Sequence, residues 1–330
     1  MTPFVIVLPV RNGAAHIRQA VASILAQGDG DLRLVVLENA SEDDTAAIVR
    51  SFDDPRVELR PADEPLPIEC NWARVRDVAA EVPGDTLLSV IGHDDCLYPD
   101  FVTRMRALAQ AHPDATLFQS HFDLIDAQGA LIRPCRPIAE RETWQDLAAM
   151  IAWGVRDAFG TGYAFRARDY LAVGGIPALP GILYADHLLF LRLTRLGHKR
   201  ADPMKGCAYR LHATSMSNAV SVGRINERLA AFTGFLEALD TELAEWVCDD
   251  RGRDALLTLL AREVFVFGNP VVRGSLNIDN RRRLRMLEHR IVELGGSHDL
   301  SHWAYQASRS QRIIDQARRA FAYARARLRG

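Results

Sequence analysis

The chain has 330 residues, long enough for one large domain or two ordinary ones, and its 48% hydrophobic and 25% charged content is typical of a soluble globular protein. The formal net charge of −2 gives no reason to expect nucleic acid as the main partner. Five cysteines are scattered without a CxxC spacing, which argues against a disulfide framework or a zinc site and fits a reducing cytoplasm.

The first hydrophobic run, residues 4–8, predicts a strand buried on both faces. The run is too short for the core of a signal peptide. No stretch of the chain approaches the roughly 18–20 apolar residues that a membrane span needs. Asn12-Gly13 ends the run, and an amphipathic helix over about residues 17–25 follows.

Strand and helix patterns then alternate along the first third of the chain. The predicted strands are 32–37, 57–60 and 86–91, and the predicted helices are 41–52, with Ser41 as the N-cap, and 71–82. This alternation predicts an α/β fold with a mostly parallel sheet and helices on both faces. Ligands bind at the carboxyl ends of such strands, so residues 9–12, 38–41 and 93–95 are expected along one edge.

The pattern changes further along the chain. A helix is predicted over 101–111, one or two strands over 115–126, and a helix over 186–197. Helical runs then dominate at 223–247, 255–267 and 281–296. These patterns predict a catalytic α/β domain over 1–218 and a C-terminal helical region over 219–330, ending in a basic tail with seven arginines and one acid from Arg309 onward.

Two adjacent carboxylates, Asp94 and Asp95, follow the buried strand at 86–91. Like charges repel, and burying either one unpaired is costly. A solvated turn and a divalent cation both explain the pair. The residues alone leave both interpretations open.

Six ordered motifs resemble family 2 glycosyltransferases with the GT-A fold, over residues 3–217. They are "VIVLPVRNG" (5–13), "LENASEDDT" (37–45), "NWARVRDVAAEVPGD" (71–85), "GHDDCLYPDF" (92–101), "LYADHLLFLRLTRLG" (183–197) and "YRLHATSMS" (209–217). The resemblance implies a Rossmann-like GT-A sheet flanked by helices. It also implies transfer of a sugar from a nucleotide-sugar donor.

The resemblance implies a Mg²⁺ or Mn²⁺ ion at the acidic turn. Asp95 is the first choice of ligand, Asp94 is the second, and His212 completes the metal shell or contacts the diphosphate. His93 stands where the family usually has an acid, and it is expected either to bind the metal or the sugar or to be a solvated turn histidine.

The resemblance also places eight residues near the nucleotide. They are Pro9, Arg11, Glu38, Asn39, Ser41, Asn71, Arg74 and Asp94. Glu38 is expected to accept a hydrogen bond from the base, as from a uracil N3–H. For Ser41 a helix cap is the competing role, and for Arg74 a solvated surface charge.

By resemblance, Asp186 is the catalytic base of an inverting reaction, although Ala185 replaces the acid that usually precedes it. The alternative is an acid that only favours the helix N-terminus. The expected acceptor is a saccharide or lipid-linked saccharide of a bacterial surface polysaccharide, and a homo-oligomer is possible. The basic tail is expected either to contact a membrane peripherally or to be a solvated segment.

Two other functions remain open at this point. A non-catalytic protein that retains the fold and binds nucleotide is compatible with Ala185 and His93. A sugar-1-phosphate nucleotidyltransferase has a similar sheet. It would be expected to carry a glycine-rich basic loop after the first strand, which "PVRNGAAHIRQ" lacks.

Overall fold

The computed structural model describes residues 2–28, 31–212, 224–268 and 273–295. The chain divides into two compact units, Met1–Leu243 and Ala244–Gly330, which are described separately. The predicted boundary at 218 falls in the segment 213–223, outside the described residues, and stays a prediction.

The described part of the first unit contains one ten-stranded sheet. Its strands are β1 (Phe4–Val10), β2 (Leu32–Glu38), β3 (Val57–Pro61), β4 (Leu87–Val90), β5 (Cys96–Leu97), β6 (Leu117–Ile125), β7 (Leu131–Pro134), β8 (Arg141–Glu142), β9 (Tyr163–Arg166) and β10 (Lys199–Arg210). The main strand order is β3-β2-β1-β4-β9-β6-β10-β5, with β7 beside β6 and β8 beside β10.

Helices flank this sheet along the whole first unit. They are α1 (Ile17–Leu25), α2 (Thr45–Arg50), α3 (Ile68–Ala73), α4 (Val75–Ala80), α5 (Phe101–Ala111), α6 (Trp144–Trp153), α7 (Ala167–Ala172), α8 (Ala185–Leu196) and α9 (Ile225–Glu242). A short 3₁₀ turn, Pro180–Ile182, precedes α8.

The first half of the sheet is parallel, as predicted. β1 pairs in parallel with β2 and β4, and β2 pairs in parallel with β3. All seven residues of β1 are buried, because α1 and α5 pack apolar side chains on one of its faces and α4 contacts it as well. The run of Val, Ile and Leu that predicted a doubly covered strand is therefore explained by helices around it.

The second half of the sheet is mixed. β9 runs antiparallel to both β4 and β6, and β10 pairs in parallel with β6. The region predicted as one or two strands over 115–126 is a single strand, β6. Its parallel partner β10 ends at Arg210, which brings the "RLH" segment to the acidic turn after β4.

The predicted helix over 71–82 is two short helices, α3 and α4, that meet at Arg74. The first begins three residues earlier than predicted. Pro67 stands directly before it, where a residue without an N–H costs no helical hydrogen bond.

The described helices of the second unit are α10 (Ala244–Cys248), α11 (Asp250–Gly268) and α12 (Ile278–Glu293). They confirm the helical character predicted for this part of the chain. Among the described residues, no helix is long and apolar enough to cross a membrane. The basic tail from Arg309 lies outside the described residues.

Candidate functional site

The register of the parallel strands brings the predicted polar segments to one edge of the sheet. Val10 pairs with Glu38, and Val7 pairs with Val90 on the other side of β1. The turns after β1, β2 and β4 therefore begin at neighbouring positions. This is the arrangement expected from the carboxyl ends of adjacent parallel strands.

Hydrogen bonds connect the loop after β1 with the loop after β2. Three successive backbone N–H groups of the first loop donate to side chains of the second. The pairs are Asn12 to Ser41 Oγ (2.9 Å), Gly13 to Thr45 Oγ1 (2.8 Å) and Ala14 to Asp43 Oδ2 (3.0 Å). The "SEDDT" segment thus fixes the turn that opens α1.

The predicted helix cap at Ser41 is wrong. Helix α2 begins at Thr45, and its N-cap residue Asp44 makes no side-chain cap bond. The Ser41 hydroxyl instead accepts a hydrogen bond from the Asn12 N–H in the loop after β1. The hydroxyl that the local pattern assigned to a helix cap therefore binds a donor distant in the chain.

Pro9 and Arg11, both expected at the nucleotide, differ in their exposure. Pro9 lies inside β1 and is buried. Arg11 is exposed and pairs with exposed Glu42 at 3.1 Å. Exposed ion pairs of this kind contribute little to stability.

Glu38 is buried at the end of β2, with 4% of its surface exposed. Its Oε1 accepts the Ser41 N–H at 2.6 Å. Asn71 and Arg74 support the same strand end. Asn71 donates to the Leu37 carbonyl at 3.1 Å, and Arg74 donates to the Glu38 carbonyl at 3.2 Å.

Arg74 makes further bonds of the same kind. Its guanidinium also donates to Asn71 Oδ1 at 2.9 Å and to the Arg60 carbonyl at 2.8 Å. Asn71 and Arg74, both predicted to contact the nucleotide, therefore bind backbone carbonyls and each other. They position the strand end that carries Glu38.

Asn39 holds the loop over residues 62–67. Its amide donates to the Leu66 carbonyl at 2.9 Å and accepts the Leu66 N–H at 2.8 Å. An asparagine supplies both a donor and an acceptor, which a carboxylate does not. This pairing uses both groups of the amide, which explains an asparagine at this position.

Asp95 points into the protein, with 1% of its surface exposed. One carboxylate oxygen accepts the Thr161 hydroxyl, and the other accepts the Arg210 N–H at 2.8 Å. Burial, followed by the charge of Asp94, raises the pKa of Asp95 well above its usual value. Both of its oxygens are engaged by protein donors.

Asp94 points the other way and meets the end of β10. Its Oδ2 lies 2.7 Å from His212 Nε2, and the two side chains are 19% and 15% exposed. The buried guanidinium of Arg210 donates to the Asp94 carbonyl at 2.7 Å and to Gln19 Oε1 at 2.7 Å. Arg210 therefore ties the acidic turn to helix α1.

Two more imidazoles lie beside this pair. The His16 ring lies 5.5 Å from the His212 ring, and a Cβ on Gly13 would come within 2.7 Å of the His93 ring. Burial lowers the pKa of both His16 and His93. His16 was not among the predicted site residues. The signal for it in the sequence was its position directly before helix α1.

Asp186 stands in the first turn of α8, with a side chain that is 27% exposed. Its Oδ1 accepts the His187 N–H at 2.8 Å. Its other oxygen faces Gly160 of the "FGTGYAF" segment, 4.0 Å from where a Cβ would stand. Asp186 and Gly160 line a small cavity of about 20 Å³ together with Trp72.

Within the described ranges, no cluster of three or more histidine, cysteine or acidic side chains is arranged to hold a metal ion. The structure instead offers one carboxylate and one imidazole, Asp94 and His212. Cations such as Mg²⁺ are commonly bound by one or two protein ligands together with substrate phosphates and water. The donor pair fits that mode of binding.

Comparison with known proteins identifies the family. The model of glycosyl transferase family 2 matches residues 5–171. The succinoglycan biosynthesis protein ExoO of Rhizobium meliloti (strain 1021) is 26% identical over 256 residues, which cover 71% of this chain and 68% of that protein. An uncharacterized glycosyltransferase of Rickettsia felis is 26% identical over 135 residues, 40% of this chain and 21% of the relative. The chain therefore spans about a fifth of the length of that relative.

Solved structures share the fold. S. aureus TarS 1–349 in complex with UDP-GlcNAc has a TM-score of 0.61 at 12% identity, covering 89% of this chain and 81% of its own. The mannosyltransferase PcManGT of Pyrobaculum calidifontis, in complex with GDP-Man and Mn²⁺, has a TM-score of 0.53 at 14% identity, covering 93% and 86%. These similarities confirm the predicted GT-A type fold. Since the family model matches more than half of the 330 residues, the chain belongs to glycosyltransferase family 2.

Proposed function

We propose that this protein transfers a sugar from a nucleotide-sugar donor, with UDP-sugar favoured, to a saccharide acceptor with inversion at the anomeric carbon. The observation that carries the proposal is the common edge of the sheet. A buried carboxylate, Glu38, ends β2, the Asp94–His212 pair follows β4, and Asp186 opens α8. Family membership makes a nucleotide-sugar reaction the natural use of this edge.

Glu38 suits the base of the nucleotide. One of its oxygens, Oε1, accepts a hydrogen bond from the Ser41 N–H. The second oxygen suits a single N–H donor such as the uracil N3–H. Asn71 and Arg74 act in this proposal by holding the strand end, and Asn39 and Ser41 act by holding the loops around it.

The proposed cation, Mg²⁺ or Mn²⁺, is held by Asp94 and His212. This revises the order expected from the sequence, in which Asp95 came first. Asp95 is buried and both of its oxygens accept protein hydrogen bonds, whereas Asp94 is partly exposed. A bound cation supplies charge neutralisation for the diphosphate leaving group.

Asp186 is the proposed general base. It takes the proton of the acceptor hydroxyl as that oxygen bonds to the anomeric carbon. The bond from this carbon to the diphosphate breaks on the opposite face, and the nucleoside diphosphate leaves with the electron pair. The hydroxyl is proposed to approach the partly exposed carboxylate from the side of Gly160, which carries no side chain.

The acceptor is proposed to be a saccharide of a bacterial surface polysaccharide, in part because one relative is named for succinoglycan biosynthesis. Contact of the C-terminal tail with a membrane, a homo-oligomer and a location in the cytoplasm remain predictions.

Replacement of the base tests the proposal. We expect Asp186→Asn to retain donor affinity and to lower the transfer rate by roughly 10²–10⁴-fold, because the amide cannot take the proton. The measurement is release of nucleoside diphosphate in the presence of a saccharide acceptor. Asp279→Asn, in an exposed first-turn acid of α12, is the matched control and should be unchanged.

Near-normal turnover of Asp186→Asn would remove Asp186 from the mechanism. Donor binding without turnover in the unmodified protein would favour the non-catalytic nucleotide-binding protein.

A further inference from the structure

We propose that His187 is a positioning residue for Asp186, and that its Nδ1–H donates to the Asp186 carboxylate when substrate is bound. The proposal rests on Asp186 as the general base. It adds a second residue, which holds the carboxylate of that base in one orientation.

The first observation is an unsatisfied buried atom. His187 Nδ1 is buried and has no hydrogen-bond partner among the described residues. It lies 3.7 Å from Asp186 Oδ1. A buried polar atom without a partner is costly and calls for an explanation. A contraction of less than about 1 Å would bring the two atoms within hydrogen-bonding distance.

The second observation is the aromatic surround of the ring. The His187 side chain is 20% exposed, and its ring lies 6.0 Å from the Tyr184 ring and 6.4 Å from the Phe235 ring. Packing against these two rings therefore places the imidazole, with Nδ1 3.7 Å from Asp186 Oδ1.

The third observation concerns the two carboxylate oxygens. The His187 backbone N–H already donates to Asp186 Oδ1 at 2.8 Å. A second donor on the same oxygen would leave Oδ2, on the side of Gly160, as the oxygen that accepts the proton. Hydrogen bonds to the ionised form lower the pKa of a carboxyl group. Loss of the His187 donor is therefore expected to show in the pH profile of the transfer rate.

Other ionisable side chains face this pair from three further elements. Tyr163 comes from β9 and Tyr170 from α7, and burial raises the pKa of both, that of Tyr170 to about 12. Tyr184 precedes α8 and accepts a hydrogen bond from Arg228 of α9 at 3.2 Å.

Three substitutions at His187 distinguish the role of the Nδ1–H donor from the role of the aromatic ring. His187→Phe keeps the ring and removes the donor. His187→Asn places its amide near the position of Nδ1, and His187→Gln places its amide near Nε2. Transfer rate and donor KM are measured from pH 5 to 9, with thermal melting as the check on folding.

We expect His187→Phe and His187→Gln to lower kcat roughly ten-fold and to move the acidic limb of kcat up by about half to one pH unit, with donor KM unchanged. His187→Asn should recover most of both effects. If His187→Phe does not fold, the contrast between the Asn and Gln variants carries the test.

A wild-type pH profile for His187→Phe, or an Asn variant as impaired as the Gln variant, would overturn the proposal. Asp186→Asn distinguishes this failure from failure of the proposed function. If that variant is inactive while the His187 variants are normal, only the role of His187 is wrong. If Asp186→Asn turns over normally, the base assignment fails as well.

Discussion

Two neighbouring carboxylates after β4 have opposite environments. Asp95 lies inside the protein with Thr161 and Arg210 as donors, and partly exposed Asp94 lies beside His212. The two residues belong to a turn in which the Asp95 N–H donates to the Gly92 carbonyl at 3.2 Å. The sequence ranked Asp95 before Asp94 as the metal ligand, and only the folded turn shows which of the two carboxylates is enclosed.

Paired substitutions test the assignment. We expect Asp94→Asn to weaken binding of a nucleotide with Mn²⁺ by roughly ten-fold or more, about 1.4 kcal/mol, because a metal-binding charge is lost. We expect Asp95→Asn to change this nucleotide affinity little. Its amide can accept from the Arg210 N–H and donate to the Thr161 hydroxyl, which rotates freely. Calorimetric titration with Mn²⁺ measures both.

The reverse order of effects would return Asp95 to the role of first ligand. Thermal melting of both variants separates loss of binding from loss of the fold.

Helix α9 supports the segment that leads into α8. Tyr184 has φ = +63°, an uncommon conformation for a bulky residue, and its ring lies 5.4 Å from Phe232 and 5.6 Å from Phe235. Glu227 packs where a Cβ on Gly181 would stand. Asp186 lies two residues after Tyr184, so α9 indirectly positions the proposed base.

Truncating this support should affect both stability and activity. We expect Phe235→Ala to cost about 3–5 kcal/mol of unfolding free energy. We also expect it to lower kcat on the order of ten- to a hundred-fold, because Asp186 loses its fixed position. Phe267→Ala, in an equally buried residue of α11, should cost similar stability and leave kcat unchanged. Denaturant unfolding measures the stability of the two variants. Transfer kinetics measure their kcat at a temperature below the melting points of both.

The pairing of β8 with β10 buries a group of charges. Glu142 lies opposite Lys199 in the ladder and forms ion pairs with Lys199 and Arg156. Burial alone would raise the pKa of Glu142, but the hydrogen bond from Arg156 and the charge of Lys199 outweigh it and hold the pKa below its usual value. Burial, followed by the charge of Arg156, lowers the pKa of Lys199 to about 8, since the two cations share one carboxylate.

This group predicts a pH dependence of stability. The unfolded chain binds a proton on Glu142 more readily than the folded protein does. The contribution of Glu142 is therefore complete above its unfolded pKa, and it is lost as pH falls through the folded value. We expect Glu142→Gln to lose about 3–5 kcal/mol at pH 7 and to show a flatter decline toward pH 3, measured by urea unfolding. Exposed Glu140→Gln is the control, and parallel pH curves for Glu142→Gln and wild type would contradict the prediction.

At the scale of the whole molecule, the sequence predicted the fold because its signals are local. The apolar runs of β1 and β2 and the helical spacing of α1 each lie within about ten residues. In the parallel pair that these strands form, Val10 is aligned with Glu38. The edge of the site was predictable for this reason.

The roles of single residues were less predictable because their partners are distant in the chain. Asn39 binds Leu66, Ser41 binds Asn12, and Arg210 meets Asp94 and Asp95. No local pattern records these bonds, so a polar residue in a family motif looks the same whether it binds substrate or backbone. Likewise, only the folded packing shows that His187 Nδ1 is buried without a hydrogen-bond partner among the described residues.

The most direct test of the central claim is calorimetric titration of the protein with UDP, GDP and dTDP, each with Mn²⁺ and again with EDTA. A nucleotide-sugar transferase with a cation at Asp94 and His212 predicts that UDP binds most tightly, and only when Mn²⁺ is present. Absence of binding by all three nucleotides with Mn²⁺ would contradict the proposed function.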